Sequence, residues 1–279
     1  MKICIDPGHT KNYNAGAVAG YYEGNMTLDL AKRLKTELEK YEDVVVVLTR
    51  SKDTENPELP TRGLTAGRNG CRLFISLHSD ANANKNYRGV TVVRSIKRPS
   101  SYMLGAKLAR AIKDCMGTAL SPYSGSVDGV WTRAYPGNAN LDYYAVVRNA
   151  VTSDVVKEAF LIEHSFHTNP VDCQWLDKAA NRQKLAEVEA KVIADYYGLK
   201  KKGTVVEPTG KLYRVQVGAF ATVSYAKTLA NKLTKAGYSV LVVKRGGLYK
   251  VQVGAFAVKA NADRLAKELK AKGYSTIIV

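Results

Sequence analysis

The sequence predicts an α/β protein: a mostly parallel twisted sheet with helices on both faces, followed by a small α+β domain of ferredoxin-like (βαββαβ) plan. Three observations predict it. Short, continuously apolar strands alternate with helical patterns over the first two thirds of the chain, as in sheets covered on both faces. The segment GLKKKGTVVEPTG (198–210) then combines Gly, Pro and a Lys run without periodicity, the mark of a connecting segment. Beyond it, one stretch repeats itself at an offset of 36 residues. These features divide the 279 residues into a domain over 1–198, a linker over 199–210 and a second domain over 211–279.

Each element follows from its local pattern. KICID (2–6) is strand-like. MTLDLAKRLKTELEK (26–40) places Leu28, Ala31, Leu34 and Leu38 at helical spacing. VVVVLT (44–49) and RLFISLH (72–78) are apolar runs too short for helices. SYMLGAKLARAIKDCM is helical, and EAFLIEHSF (158–166) is a strand. NRQKLAEVEAKVIADYYG closes as a helix ending at Gly198, since glycine tolerates the left-handed turn that terminates many helices.

In the tail, YRVQVGAFATVSYAKTLANKLTKAGYSVLVV (213–243) matches YKVQVGAFAVKANADRLAKELKAKGYSTIIV (249–279). Each copy reads strand, helix, strand. The helices carry Ala226, Leu229, Ala230 and Leu233, and Ala262, Leu265, Ala266 and Leu269, on one face. One copy is too short to fold alone; two copies make a four-stranded antiparallel sheet with both helices on one side. Strict alternation puts Tyr213, Val215, Val217 and Ala219 on the core face. It puts Arg214, Gln216, Gly218 and Phe220 on the other, repeated as Lys250, Gln252, Gly254 and Phe256.

Composition narrows the function. Hydrophobic residues make up 46%, enough for a proper core, and no apolar run is long enough to span a membrane. The net charge of +17 is uneven: residues 199–279 carry net +13 and residues 1–198 net +4. A basic tail suits a polyanion such as nucleic acid, anionic lipid or an anionic wall. Cys4, Cys71, Cys115 and Cys173 form no CxxC pair and read as reduced, mostly buried thiols. The N-terminus MKICIDPGHT lacks the apolar stretch of a signal peptide, so the chain is expected to be made in the cytoplasm.

The chemistry-bearing residues gather at strand ends. In open α/β sheets ligands bind beyond the carboxyl ends of the strands. His9 follows the first strand, His78 ends the third, and Glu163, His164 and His167 close EAFLIEHSFH. A catalytic zinc takes about three protein ligands and one open position; His9 and His78 supply two. In a regular strand Glu163 and His164 point oppositely, so at most one of them faces such a site. His167, in the loop, is not so constrained. Glu23, in YYEGNMTLDLAKRL, reads on position alone as a helix-entry acid complementing the dipole.

IDPGHT, EGNMTLDLAKRLKTEL, VVVLTR, RLFISLHSDA and FLIEHSFHTNP, in this order across residues 1–198, resemble the zinc-dependent N-acetylmuramoyl-L-alanine amidases of the Amidase_3 type. EHSFHTN is similar to the phage-endolysin and autolysin branch. The two YxVQVGAF copies resemble a SPOR domain, a module that recognises peptidoglycan glycan strands stripped of stem peptides. The resemblance implies Zn²⁺ held by His9, Glu23 and His78, with Glu163 as the catalytic carboxylate. It implies cleavage of the amide between N-acetylmuramic acid and L-alanine by zinc-activated water. His167 and Arg148 are then candidates for substrate binding. Arg214, Gln216, Phe220, Lys250, Gln252 and Phe256 are candidates for glycan contact. Arg62, in another family segment, reads as structural, and His164 as packing beneath the site.

The resulting expectation is a monomeric lytic enzyme anchored on peptidoglycan, which reaches the wall after the membrane is breached. A phage endolysin and a mother-cell or sporulation autolysin both fit. Three rival readings are weaker. A non-enzymatic wall binder would not need all four site residues. A nucleic-acid-binding tail would want the aromatic-rich pattern of RNA-recognition modules, which YRVQVGAF lacks. A zinc peptidase of the common kind would carry HExxH, and none is present.

Overall fold

A computed structural model describes residues 1–202, 212–238, 240–256 and 259–279. The chain divides into two units, Met1–Thr204 and Val205–Val279. Of the expected linker, residues 203–210 lie outside the described residues. Residues 200–202 belong with the first unit: the Lys200 carbonyl accepts from Glu42 N–H at 2.7 Å, and Lys202 N–H donates to the Lys40 carbonyl at 2.6 Å. Among the described residues no helix is long and apolar enough to cross a membrane.

The first unit is built on a six-stranded sheet. Its strands are β1 (Lys2–Pro7), β2 (Val45–Leu48), β3 (Leu73–Asp80), β4 (Thr91–Arg94), β5 (Val130–Trp131) and β8 (Glu158–Phe166), in the order β2-β1-β3-β8-β4-β5. β2, β1, β3 and β8 run parallel, and β4 turns antiparallel against β8. All nine residues of β8 are buried, which is why that run shows no polar alternation. On one face pack α1 (Glu23–Leu38), α3 (Tyr102–Met116), α5 (Pro170–Asp177) and α6 (Ala179–Tyr197), around Ile3, Ile5, Leu34, Ile75, Phe160 and Ile162. On the other pack α2 (Leu59–Arg68) and α4 (Ala145–Ala150), around Cys4, Phe74, Ala159 and Leu161. A hairpin of β6 (Ala134–Tyr135) and β7 (Asn138–Asp142) precedes α4.

Helix α1 begins at Glu23, three residues earlier than the apolar spacing indicates. No side chain caps it. Instead the Asn14 and Tyr13 carbonyls accept from the N–H groups of Glu23 and Gly24, satisfying donors a helix leaves orphaned. A loop from elsewhere thus extends the helix and carries Glu23 onto its first turn.

The second unit has strands β9 (Tyr213–Phe220), β10 (Val240–Arg245), β11 (Leu248–Phe256) and β12 (Ile277–Ile278) in the order β10-β11-β9-β12, all antiparallel. Helices α7 (Val223–Lys235) and α8 (Lys259–Ala271) bury Ala226, Leu233, Ala262, Ala266 and Leu269 against Val215, Val217, Val251 and Val253. This is the expected βαββαβ plan.

Strict alternation along β9 and β11 does not hold. Gln216 pairs with Gln252 but Gly218 pairs with Val251, leaving Val217 unopposed. Such a bulge turns two successive residues to one face. A second irregularity falls at Gly254, whose φ of +73° suits glycine. Phe220 and Phe256 therefore lie on the core side, packed with Leu229 and Leu265. They do not share a face with Arg214, Gln216, Lys250 and Gln252. On the face away from the helices Gln252 pairs with Gln216, which is buried between its neighbours, and the row is flanked in register by Leu241 and Ile277, both more than half exposed.

Candidate metal and catalytic site

The turn after β1 is shaped by two buried arginines. Arg62, on α2, donates to Asp6 Oδ1 at 3.0 Å, to the Pro7 carbonyl at 2.7 Å and to the His9 carbonyl at 2.8 Å. Arg50 donates to the carbonyls of Pro7, Gly8 and Gly24 at 3.1, 3.0 and 2.6 Å. Burial, with Arg62 nearby, lowers Arg50 to about 10, still well above neutral. Between them they hold His9 at a φ of +59°, a left-handed conformation unfavourable for residues with a side chain. Gly8 has no room for one: a Cβ there would stand 2.4 Å from the His78 ring. DPGH is thus a loop whose backbone is clamped and whose glycine admits a neighbouring imidazole.

His9, Glu23 and His78 then converge, their ligand atoms lying within 4.8 Å of one another. Glu23 Oε2 is 3.1 Å from His9 Nε2, and its Oε1 is 2.9 Å from His78 Nδ1. Asn14 Nδ2 donates to Glu23 Oε2 at 2.7 Å, and the Ser79 N–H donates to Oε1 at 3.0 Å. Burial opposes ionisation of Glu23, but its contacts with His78 and His9 outweigh this and hold the carboxyl far below the usual carboxylate range. Two imidazole nitrogens and one ionised carboxylate form a donor set that fits a catalytic zinc. Asn14 and Ser79 orient the carboxylate from outside that set, as groups behind metal ligands commonly do.

Glu163 sits directly opposite His78 in the parallel register of β3 and β8, one strand spacing away. The two side chains take the same face of the sheet, that of α2 and α4. Glu163 is nearly buried, and its Oε2 has no hydrogen-bond partner among the described residues. Burial, with Asp80 and Glu23 adding to it, raises its pKa well above the carboxylate norm. A carboxyl so placed exchanges a proton near neutral pH more readily than an exposed one. His9, Glu23, His78, Glu163 and His167 line one cavity of about 360 Å³ with Asn14, Ser79, Asp80 and Tyr144.

His164 faces the other way, as alternation requires. Its ring is fully buried, with Nδ1 2.9 Å from the His78 carbonyl and Nε2 3.0 Å from Glu189 on α6. It therefore braces the backbone of His78, a candidate metal ligand, rather than entering the cavity. His167 does reach the cavity, with Nδ1 2.9 Å from the Ser79 carbonyl and its ring stacked on Tyr21. Arg148 does not line it. Its guanidinium donates to the carbonyls of Asp142 and Tyr143 at 2.8 and 3.2 Å and lies 5.6 Å from the Tyr135 ring. These bonds tie it to the end of the β6–β7 hairpin and keep it out of the cavity.

Several site residues escape sequence reasoning. Asp80 stands on the cavity wall with its carboxylate accepting from the Tyr123 hydroxyl; its signal was the SLHSDA segment itself. Tyr144 and Asn14 come from loops whose patterns carry no periodic cue. Arg50 closes VVVLTR, where its burial was not apparent.

A family model described as N-acetylmuramoyl-L-alanine amidase matches residues 3–195, and one described as SPOR domain matches residues 182–279. The sporulation-specific N-acetylmuramoyl-L-alanine amidase of Bacillus subtilis is 28% identical over 248 residues, covering 87% of this chain and 84% of its own. The endolysin of Bacillus phage SPP1 is 28% identical over 200 residues, covering 72% and 67%. Among solved structures, the N-acetylmuramoyl-L-alanine amidase AmiC2 of Nostoc punctiforme superposes with a TM-score of 0.57 at 25% identity, covering 71% of this chain and 97% of that one. With the fold, the His₂Glu cluster and the opposed glutamate all in its first unit, this chain belongs to the N-acetylmuramoyl-L-alanine amidase family.

Proposed function

We propose that this chain is a zinc-dependent peptidoglycan amidase that cuts the amide between the lactyl group of N-acetylmuramic acid and L-alanine. One observation carries the reading: Glu163 lies directly across the β3–β8 register from His78, itself clustered with His9 and Glu23. A zinc ion bound by those three would polarise the scissile carbonyl and make its water acidic enough to attack near neutral pH. The chain's own residues do the rest. Glu163, with a free oxygen and a raised pKa, accepts the water's proton and passes it to the departing alanine nitrogen. His78 and His9 are fixed in orientation by Glu23, by the braced β3 backbone and by the clamped turn. His167, its Nδ1–H donated to the Ser79 carbonyl, leaves the rest of its ring on the cavity wall, where it contacts the bound substrate. No serine or cysteine nucleophile is called for.

The second unit supports wall attachment. Its open sheet face joins the Gln252 amide, Arg214 and Lys250 with two exposed aliphatic side chains, a surface suited to a polar polymer. Since the first unit yields glycan without stem peptides, a second unit that prefers such glycan would retain the enzyme where it has cut. The relatives include both a phage endolysin and a sporulation-specific N-acetylmuramoyl-L-alanine amidase, and we propose this reaction for either setting.

Mass spectrometry of digested peptidoglycan tests the reaction. Released stem peptides with a free N-terminal alanine are expected, lost on chelation and restored by zinc. New reducing sugar ends in their place would refute it. For the second unit, sedimentation with amidase-treated and untreated walls should show preferential binding to the treated ones; equal binding would remove the retention idea.

A further inference from the structure

The hairpin before α4 holds an arginine that neither the fold nor the proposed chemistry uses. Arg133 lies with its guanidinium carbon 3.7 Å from the centre of the Tyr143 ring and 6.0 Å from those of Trp131 and Tyr144. Among the described residues no carboxylate lies within ion-pairing distance of it. Its place is nevertheless fixed. The Tyr143 N–H donates to the Arg133 carbonyl at 2.9 Å, Tyr123 stacks on Trp131 at 4.7 Å, and Arg148 anchors the hairpin base. An arginine on an aromatic face keeps edge donors available; here one side engages Tyr144 and no carboxylate among the described residues takes the others.

Tyr144 connects this arginine to the reaction. It lines the same cavity as Glu163 and His167. Burial pushes its hydroxyl up to about 12, the Glu163 carboxyl adds to this, and the Arg133 guanidinium works against both. The cavity wall itself is acidic, with Glu23, Asp80 and Glu163 all on it. A substrate carboxylate lying beside Tyr144, away from the proposed metal ligands, would face Asp80 and Glu163 and would gain from a neighbouring cation. Arg133 is an exposed cation next to that wall residue, 6.0 Å from the Tyr144 ring.

We infer that Arg133, set on Tyr143 and Tyr144, forms a subsite at the cavity rim for a free carboxylate of the stem peptide. The group in reach is the one on the residue after the L-alanine, since one residue spans about 3.5 Å. In peptidoglycan that second residue is acidic, linked through its side chain, and its α-carboxyl is free in some walls and amidated in others. The subsite would make the enzyme discriminate between them. A planar guanidinium pairs with a carboxylate through two parallel hydrogen bonds, which an amide cannot match. The inference rests on the amidase reading above and names the part of the substrate that this rim recognises.

The test compares two purified muropeptides, alike except that the second stem residue carries a free acid or an amide. The full-length zinc-loaded enzyme is expected to favour the acid in kcat/KM by about tenfold, the equivalent of one charge-assisted contact. Arg133→Gln should lose that preference through a higher KM for the acid alone, with kcat and amide turnover unchanged, and Arg133→Lys should restore part of it. Equal cleavage of both substrates by the unaltered enzyme would overturn the subsite while leaving the amidase reading intact. So would an equal loss on both substrates in Arg133→Gln, which marks a merely structural residue. Failure to cut either muropeptide or whole peptidoglycan would overturn the amidase reading itself.

Discussion

The two units treat polar groups in opposite ways. The first buries charge: Asp6, Glu23, Arg50, Arg62, Glu163, His164 and Glu189 are all nearly or fully inaccessible. Each except Glu163 has a close polar partner, as buried ions require. In the second unit the buried polar side chains among the described residues are Gln216 and Thr276 alone. Its charges lie outside and its sheet face is open. The contrast follows from what each unit does. A reaction needs a few groups fixed in a water-poor site where their proton affinities are displaced. Adhesion to a polymer needs many modest contacts on an accessible face. Single substitutions should therefore act steeply in the first unit and shallowly in the second.

The steepest effect is expected at Glu163. Its Oε2 is left unpartnered on the cavity wall, whereas Glu189, which also has one unpartnered oxygen, is held by His164 away from the cavity, so the function of Glu163 lies with the substrate rather than the scaffold. Glu163→Gln is expected to lower kcat by about 10²–10⁴-fold, the usual range for a lost proton-transfer group. Bound zinc, measured by atomic absorption, should stay near one equivalent. Glu23→Ala should instead release the metal. Zinc loss in Glu163→Gln would move Glu163 into the ligand set and break the division of labour between the two acids.

How far the sequence was legible tracks the same contrast. Parallel strands buried on both faces are visible as VVVVLT or EAFLI because nothing polar interrupts them. Period-2 reasoning placed Glu163 and His164 on opposite faces correctly because β8 is regular up to that point; its first left-handed residue is Ser165. It failed for Phe220 and Phe256, because a bulge is a matter of pairing between strands and leaves only a glycine behind. Glu23 read as a helix-entry acid, and it is one. What the sequence does not display is that the loop at Asn14 and the β3 end at Ser79 come together around it. Tyr144 was out of reach for a similar reason, since the cavity wall it joins is made by tertiary closure.

The next effect tests how much the buried scaffold matters to the site. His164 and Glu189 are both fully inaccessible. Removing one partner of such a pair commonly costs about 3–5 kcal/mol. Glu189→Leu is expected to destabilise the first unit by about 3 kcal/mol near pH 6. Both tryptophans, Trp131 and Trp175, belong to this unit, so intrinsic fluorescence in a urea titration reads it separately. The pH dependence has a definite sign. Burial works against charging of His164, but Glu189 prevails and raises its folded pKa above the ordinary histidine value of about 6.5. The pair's contribution is thus fully present below about 6.5 and declines as pH rises through the folded value. The gap between Glu189→Leu and the unaltered protein should narrow on the alkaline side. A gap that widens with pH would mean the histidine is neutral in the fold.

The smallest effects belong to the second unit, and they separate its two faces. Gln252 lies on the open side in register with Gln216, whereas Phe256 lies against the helices. Phe256→Ala should therefore cost about 1–2 kcal/mol of stability, less than a fully buried ring because this one is only half covered. Faster deuterium uptake across β9 and β11 would report it, and binding to walls should weaken only as the unit unfolds. Gln252→Ala is expected to leave deuterium uptake unchanged within about 0.5 kcal/mol while weakening sedimentation with denuded walls a few-fold. Had strict alternation held, both substitutions would impair binding and neither would loosen the fold. That outcome would show the bulge to be absent in solution, and with it the distinction between a packed and an adhesive face.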